Sequence, residues 1–120
     1  MFEIKKEELR LNDAALGNGY RDNLYFDLPK ERGEEIFKGL GEQCMNENGK
    51  EDNSYKLFEV CCAFSDLVLD EVLLYPMYED KDGNFSAGDF IYLENGEFAE
   101  CEEFIVEQMK EVRQRGGLPV

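Results

Sequence analysis

Histidine is absent from this 120-residue chain, and so is tryptophan. Without imidazole the chain has neither the commonest general base nor the Ser/His and Cys/His nucleophile pairs, and it lacks the commonest transition-metal ligand. Catalysis would fall to carboxylates, tyrosine, lysine or cysteine without imidazole help. A phosphate-cradling glycine loop is missing as well. The nearest approach, Leu16-Gly17-Asn18-Gly19-Tyr20, has neither the third glycine of a dinucleotide fingerprint nor the Lys-Ser/Thr of a P-loop. It reads as a turn, because Gly and Asn tolerate positive φ. No apolar run approaches the ~20 residues of a membrane span. No signal-peptide pattern precedes the first charges at Glu3, Lys5 and Lys6. The expectation is a cytoplasmic, soluble protein with no membrane partner.

The four cysteines, Cys44, Cys61, Cys62 and Cys101, include no C-x-x-C pair. A four-thiolate zinc site usually draws on two short-spaced pairs. Reduced, buried cysteines packed as small apolar residues are expected, with no cofactor and no metal. The vicinal pair Cys61-Cys62 is the one candidate redox couple, and nothing close in sequence supplies the positive charge that activates a thiolate.

Basic residues are scarce, and unevenly so. The whole chain carries 13 Lys+Arg against 28 Asp+Glu, a formal charge of -15. Residues 1–56 hold 13 acids and 9 bases, residues 57–109 hold 14 acids and only Lys81, and residues 110–120 hold Glu111 against three bases. The negative field therefore concentrates at 57–109, in segments expected to be folded. One-signed charge repels itself within the compact state while speeding association with oppositely charged partners. It disfavours direct contact with nucleic acid or anionic membranes and suits a basic protein.

Apolar residues make up 42% of the chain, enough for a core. The alternation in 23–28, with Leu24, Phe26 and Leu28 on one face, predicts a strand, and Phe2-Glu3-Ile4-Lys5 suits a shorter one. Pro29 stands where a first helical residue is tolerated. Glu31, Glu34 and Glu35 fall early in that helix, and Ile36, Phe37, Leu40 and Cys44 recur at helical spacing. Gly33, Gly39 and Gly41 weaken it, and residues 46–53 read as a loop. From Tyr55 to Leu69 nearly every residue is apolar except Lys56, Glu59, Ser65 and Asp66. Continued by Asp70, the charged ones mark a narrow polar stripe, which predicts a central helix over 54–69 packed on most sides. Residues 72–93 suggest a β-hairpin or meander turning at Asp80-Lys81-Asp82-Gly83, with Asn95-Gly96 as a second turn. Cys101, Phe104, Ile105, Met109 and Val112 define one face of a terminal helix over 99–115, closed by Gly116-Gly117 and Pro119. The fold expected is a single compact α+β domain spanning 1–120, with a small, largely antiparallel sheet packed against two or three helices.

Residues 78–89 resemble an EF-hand calcium loop, with Asp80 and Asp82 at ligand positions, Gly83 at the turn and Asp89 at the end. Tyr78 in the first position and Pro76 in the incoming segment depart from it, and a hairpin turn accounts for the same residues. The apolar run, Asp-Lys-Asp-Gly-Asn-Phe and amphipathic final helix across roughly 70–115 are similar to the C-terminal half of some small phage tail-assembly chaperones. In size and charge the chain also resembles small acidic phage proteins that inhibit restriction or CRISPR enzymes. Doublets such as Glu34/Glu35 and Glu102/Glu103 point about 100° apart on a helix and do not converge on a substrate.

The expectation is a non-enzymatic acidic interaction protein. Its concrete form is an inhibitor that mimics nucleic acid toward a basic nucleic-acid-binding partner. The alternative is a chaperone-like or structural protein using an apolar patch. The partner-binding candidates are Glu94, Glu97, Glu100, Glu102, Glu103 and Glu107, followed by Asp80 and Asp82.

Overall fold

One cleanly alternating segment and two longer apolar ones build the sheet on which everything else rests. The computed structural model describes residues 3–12 and 23–114. The proposed turn at 16–20 and the C-terminal cap at 116–119 lie outside the described residues, as do Phe2 and Arg115. After a single 3-10 turn at Lys6–Glu8 come β1 (Arg10–Leu11), β2 (Asn23–Leu28), α1 (Lys30–Gly39), β3 (Leu57–Ser65), β4 (Val68–Glu79), β5 (Phe85–Ala87), β6 (Ile91–Tyr92), the one-turn α2 (Asn95–Phe98) and α3 (Glu102–Gln114). The strands form one antiparallel sheet in the order β1-β2-β3-β4-β5, and β6 also pairs with β4. This is the α+β architecture expected of the sequence.

The expected helix over 54–69 is not there. Residues 57–65 are β3, joined to β4 by a two-residue turn in which Asp66 takes the left-handed conformation (φ 59°). Period two was present but masked. Phe58, Val60, Cys62 and Phe64 face the core, while the opposite face carries Leu57, Cys61 and Ala63. A strand apolar on both faces reads as an unbroken run, which periodicity alone does not separate from a buried helix. The charged stripe dissolves accordingly. Lys56 precedes β3, Glu59 lies on the sheet's outer face, Asp66 sits in the turn, and Asp70 falls at the register shift near Ala63/Phe64.

The meander over 72–93 is present, with β4 its longest member, and the 80–83 turn joins β4 to β5 as a hairpin. Pro76 does not lie on an edge strand, since β4 pairs on both sides. In an antiparallel pair the N–H and C=O of a residue point the same way. The Pro76 carbonyl accepts from Gly88 N at 2.8 Å, so its missing N–H faces the irregular stretch between β5 and β6, where no ladder bond is lost. Asn95-Gly96 begins α2 instead of forming a turn. Residues 3–5 form no strand, and the N-terminal strand is β1.

The inner face of the sheet joins the helices in one cluster. Leu24, Phe26, Leu28, Phe58, Val60, Cys62, Val72 and Leu74 meet Ile36 and Phe37 of α1 and Ile105, Met109 and Val112 of α3. Ring pairs tie the layers: Phe37 with Phe58 at 5.3 Å and Phe26 with Phe104 at 6.1 Å between centroids. α1 stops at Gly39, so Leu40 caps it partly exposed, and Cys44 is buried from the following loop. Gly33 is a contact point as well as a weak helix former. A Cβ there would overlap the Phe58 ring, so its absence lets α1 lie directly on β3.

Candidate interaction face

The second face of the sheet carries no described helix. Register assigns its rows. Arg10, Asp27, Glu59 and Tyr75 are successive partners across β1 to β4, and Tyr25, Cys61, Leu73 and Tyr92 form the next row across β2, β3, β4 and β6. Leu57, Met77 and Ala87 make a third row toward the β4–β5 hairpin, where Phe85 pairs with Glu79. Cys61 and Tyr75 are 7% and 8% exposed yet stand outside the main core cluster, because outer-face neighbours cover them.

Among the described residues of the strands, Glu71 and Glu79 stand exposed toward the two ends of β4 on this face, and Asp27 and Glu59 lie partly buried between them. The Tyr75 hydroxyl donates to Glu59 Oε1 at 2.5 Å, and Asn12 Nδ2 donates to Glu59 Oε2 at 3.3 Å. Burial pushes the Glu59 carboxyl above its ordinary value, the two hydrogen bonds oppose that rise, and the charge of Asp27 adds to it. Burial likewise raises Asp27, partly offset by Arg10. The Tyr75 phenol is driven well above the ordinary phenol range by burial, then by the adjoining carboxylate. Asn12, Asp27, Leu57, Glu59, Met77 and Phe85 line a half-open cavity of about 220 Å³. Beyond it, the edge of the sheet exposes Phe85, Phe90 and Tyr92 at 49%, 50% and 57%, with the Phe90 and Tyr92 rings edge-on at 5.2 Å. Aromatic and Met side chains grouped on an accessible face are the composition of interface cores.

The acids singled out from sequence fall into two places. Glu94 follows β6, whose end bonds to Val72 near the start of β4, and Glu97, Glu100, Glu102, Glu103 and Glu107 continue through α2 and α3. Asp80 and Asp82 lie past the far end of β4, about 25 Å along the strand from Val72 at ~3.3 Å per residue. The two groups are therefore apart. Glu94, Glu100, Glu102, Glu103 and Glu107 are exposed, Glu107 within 3.3 Å of Lys110. Glu97 is half-buried, its backbone carbonyl accepting from Ile4 N at 2.6 Å. Asp80 Oδ1 accepts from the backbone of Asp82 and Asn84, so its carboxylate closes the hairpin turn. Strands flank this turn on both sides, and Tyr78 is a buried strand residue donating to the Asp52 carbonyl. Among the described residues no group of three or more Cys, Asp or Glu side chains is arranged to hold a metal ion.

Cys44, Cys61, Cys62 and Cys101 are all buried free thiols. Burial pushes Cys44, Cys61 and Cys101 up to about 11 and holds Cys62 well above the ordinary thiol range. Neighbours on a strand point to opposite faces, so Cys61 looks outward and Cys62 into the core.

Sequence reading missed the Asp27–Glu59–Tyr75 row. Its signal was the acid at the centre of each apolar strand, Asp27 in 23–28 and Glu59 in 57–65, which only strand pairing brings together. The fold and this face define an acidic, single-sheet α+β protein with one uncovered sheet surface among the described residues. No known protein family, curated protein or solved structure matches the chain. No described helix is long and apolar enough to cross a membrane.

Proposed function

We propose that this is a non-enzymatic acidic interaction protein that binds a basic protein partner on the outer face of its sheet. The observation supporting it is the juxtaposition of exposed Phe85, Phe90 and Tyr92 with the carboxylates of Asp27 and Glu59 on a face without a described helix. Aromatic side chains supply contact area, and the -15 charge supplies attraction and a fast encounter. A partner that normally binds nucleic acid has the matching basic surface, and in this reading it reaches from the outer face round the β6 edge to the exposed acids Glu94, Glu100, Glu102, Glu103 and Glu107, which run into α3 on the helix side of the sheet and stand in for part of a polyanion. A cytoplasmic inhibitor from a phage or mobile element is the concrete form of this reading. The same exposed aromatics favour a second reading, an assembly chaperone that docks through apolar burial.

Affinity capture at about 0.1 M and about 0.5 M salt, with heparin as competitor, separates the two, because the Debye length roughly halves over that range. Basic proteins that are lost at high salt, displaced by heparin and reduced by Phe85→Ala/Tyr92→Ala support the first. A partner retained through both conditions overturns charge-driven binding and favours the chaperone reading.

A further inference from the structure

The cavity lying across β2, β3, β4 and β5 combines features that together select one kind of ligand. Asp27 and Glu59 are direct cross-strand partners, which sets their Cβ atoms about 5 Å apart. Tyr75 and Asn12 each bond one oxygen of Glu59, fixing the carboxylate while leaving a second lone pair on each oxygen. Leu57 and Met77 form an apolar wall suited to methylenes, and the half-exposed Phe85 ring offers a π face at the rim. The charged residue facing the pair from β1 is Arg10, opposite Asp27, and its attraction does not outweigh the cost of burial.

A planar cation on an aliphatic stem satisfies all of these at once. Guanidinium donates to two carboxylates through its rigid fork and stacks on an aromatic ring, which an ammonium does less well. At about 220 Å³ the cavity lies below the ~300–1,000 Å³ typical of sites for drug-sized molecules and suits one long side chain. A free amino acid would leave Phe90 and Tyr92 in water, whereas a polypeptide lying along β4 would cover them. A second cavity of about 290 Å³, bordered by Asp70, Glu71, Glu94 and Tyr92, lies toward the other end of β4. Met77 and Glu71 are six strand residues apart, about 20 Å.

We propose that the cavity bounded by Asp27, Glu59 and Phe85 is an arginine socket, which takes one guanidinium from a basic segment of a protein partner. The proposal rests on the interaction reading above and deepens it by naming the anchor.

The test titrates the full isotope-labelled chain at low salt with three probes: N-acetyl-arginine methylamide, its uncharged citrulline counterpart, and nona-arginine. The expected result is saturable shifts of the Asp27, Glu59 and Phe85 amides with the arginine derivative and none with citrulline, and tighter binding of nona-arginine. Asp27→Asn/Glu59→Gln then weakens nona-arginine about tenfold or more, the loss of charge-assisted bonds. Phe85→Ala, at an exposed ring, weakens it about threefold. Glu31→Gln/Glu47→Gln, which removes the same charge at exposed positions outside both acidic surfaces, changes it less. Equal affinity of nona-arginine for the wild type and Asp27→Asn/Glu59→Gln overturns the socket but leaves the basic-partner reading standing. Absence of nona-arginine binding at low salt overturns both. An arginine derivative that binds as tightly as nona-arginine overturns the polypeptide partner in favour of a small guanidinium ligand.

Discussion

Tyr75 and Glu59 face each other across the β3–β4 pairing, and the phenol of Tyr75 donates to Glu59 Oε1 at 2.5 Å. Because Asp27 pairs with Glu59 on the other side, one carboxylate is held between a donor that steadies it and a like charge that opposes it. The row is thus rigid in position and unfavourable in charge.

That tension gives a pH dependence with a definite sign. Asp27 and Glu59 keep their protons in the folded chain to higher pH than the ordinary 3.8 and 4.5. The native state therefore binds more protons than the unfolded one above those values. The stabilisation is complete below the unfolded values and is lost as pH rises through the folded ones. Urea unfolding should show the contribution of this pair declining as pH rises above those ordinary values. Asp27→Asn/Glu59→Gln should flatten that slope and raise stability at neutral pH, where both carboxylates would otherwise be charged and partly desolvated. Unchanged stability of the double variant would contradict the desolvation account.

Gly33→Ala should destabilise the chain even though alanine is the better helix former by about 1 kcal/mol. The new methyl would meet the buried Phe58 ring. Overpacking of this kind costs ~1–3 kcal/mol beyond any propensity gain. A thermal melt followed by circular dichroism reads the difference, with a lowered Tm expected.

No native thiol should react readily with an aromatic disulfide reagent near pH 8. Cys44, Cys61 and Cys101 are pushed up to about 11, Cys62 well above the ordinary thiol range, and all four are buried. Four equivalents should react together once denaturant unfolds the chain. A single fast-reacting thiol in the native protein would show that one cysteine is reached by solvent.

Asp66 holds the β3–β4 turn at φ 59°. Asparagine or glycine there should leave stability within about 0.5 kcal/mol, since its ion pair with Arg113 at 3.2 Å is surface-exposed. Asp66→Val should cost about 1–2 kcal/mol, because a β-branched residue is poorly tolerated in the left-handed region. Denaturation midpoints of the three variants rank the effect.

Legibility in the sequence followed the number of faces each element buries. β2 alternates cleanly between half-buried and buried, so Leu24, Phe26 and Leu28 were assigned to one face and lie there. α3 shows the same clarity at helical period, with Ile105, Met109 and Val112 inward. β3 defeated the same reasoning because Leu57, Cys61 and Ala63 make its second face apolar too, and because no glycine or proline marks the turn at Asp66-Leu67. With that hairpin read as a helix, Glu59 became a solvent stripe residue, and its neighbours Asp27 and Tyr75 had no reason to be considered together. The exposed positions of Glu94, Glu100, Glu102, Glu103 and Glu107 were accessible to sequence. The Asp27–Glu59 cavity, made by register across four strands, β2 to β5, was not.

The irregular stretch at Gly88–Phe90 has a bearing on how the molecule behaves at high concentration. A Cβ on Gly88 would strike the Met45 carbonyl, and that carbonyl accepts the Asp89 N–H at 3.0 Å. The loop carrying Met45 is thereby laid over the outermost strand where it bends. Uncovered strand rims recruit further strands and seed fibrils. Here part of the rim is already occupied from within the chain, so Phe90 and Tyr92 can be offered to a visitor by their side chains alone, without inviting backbone stacking at that point.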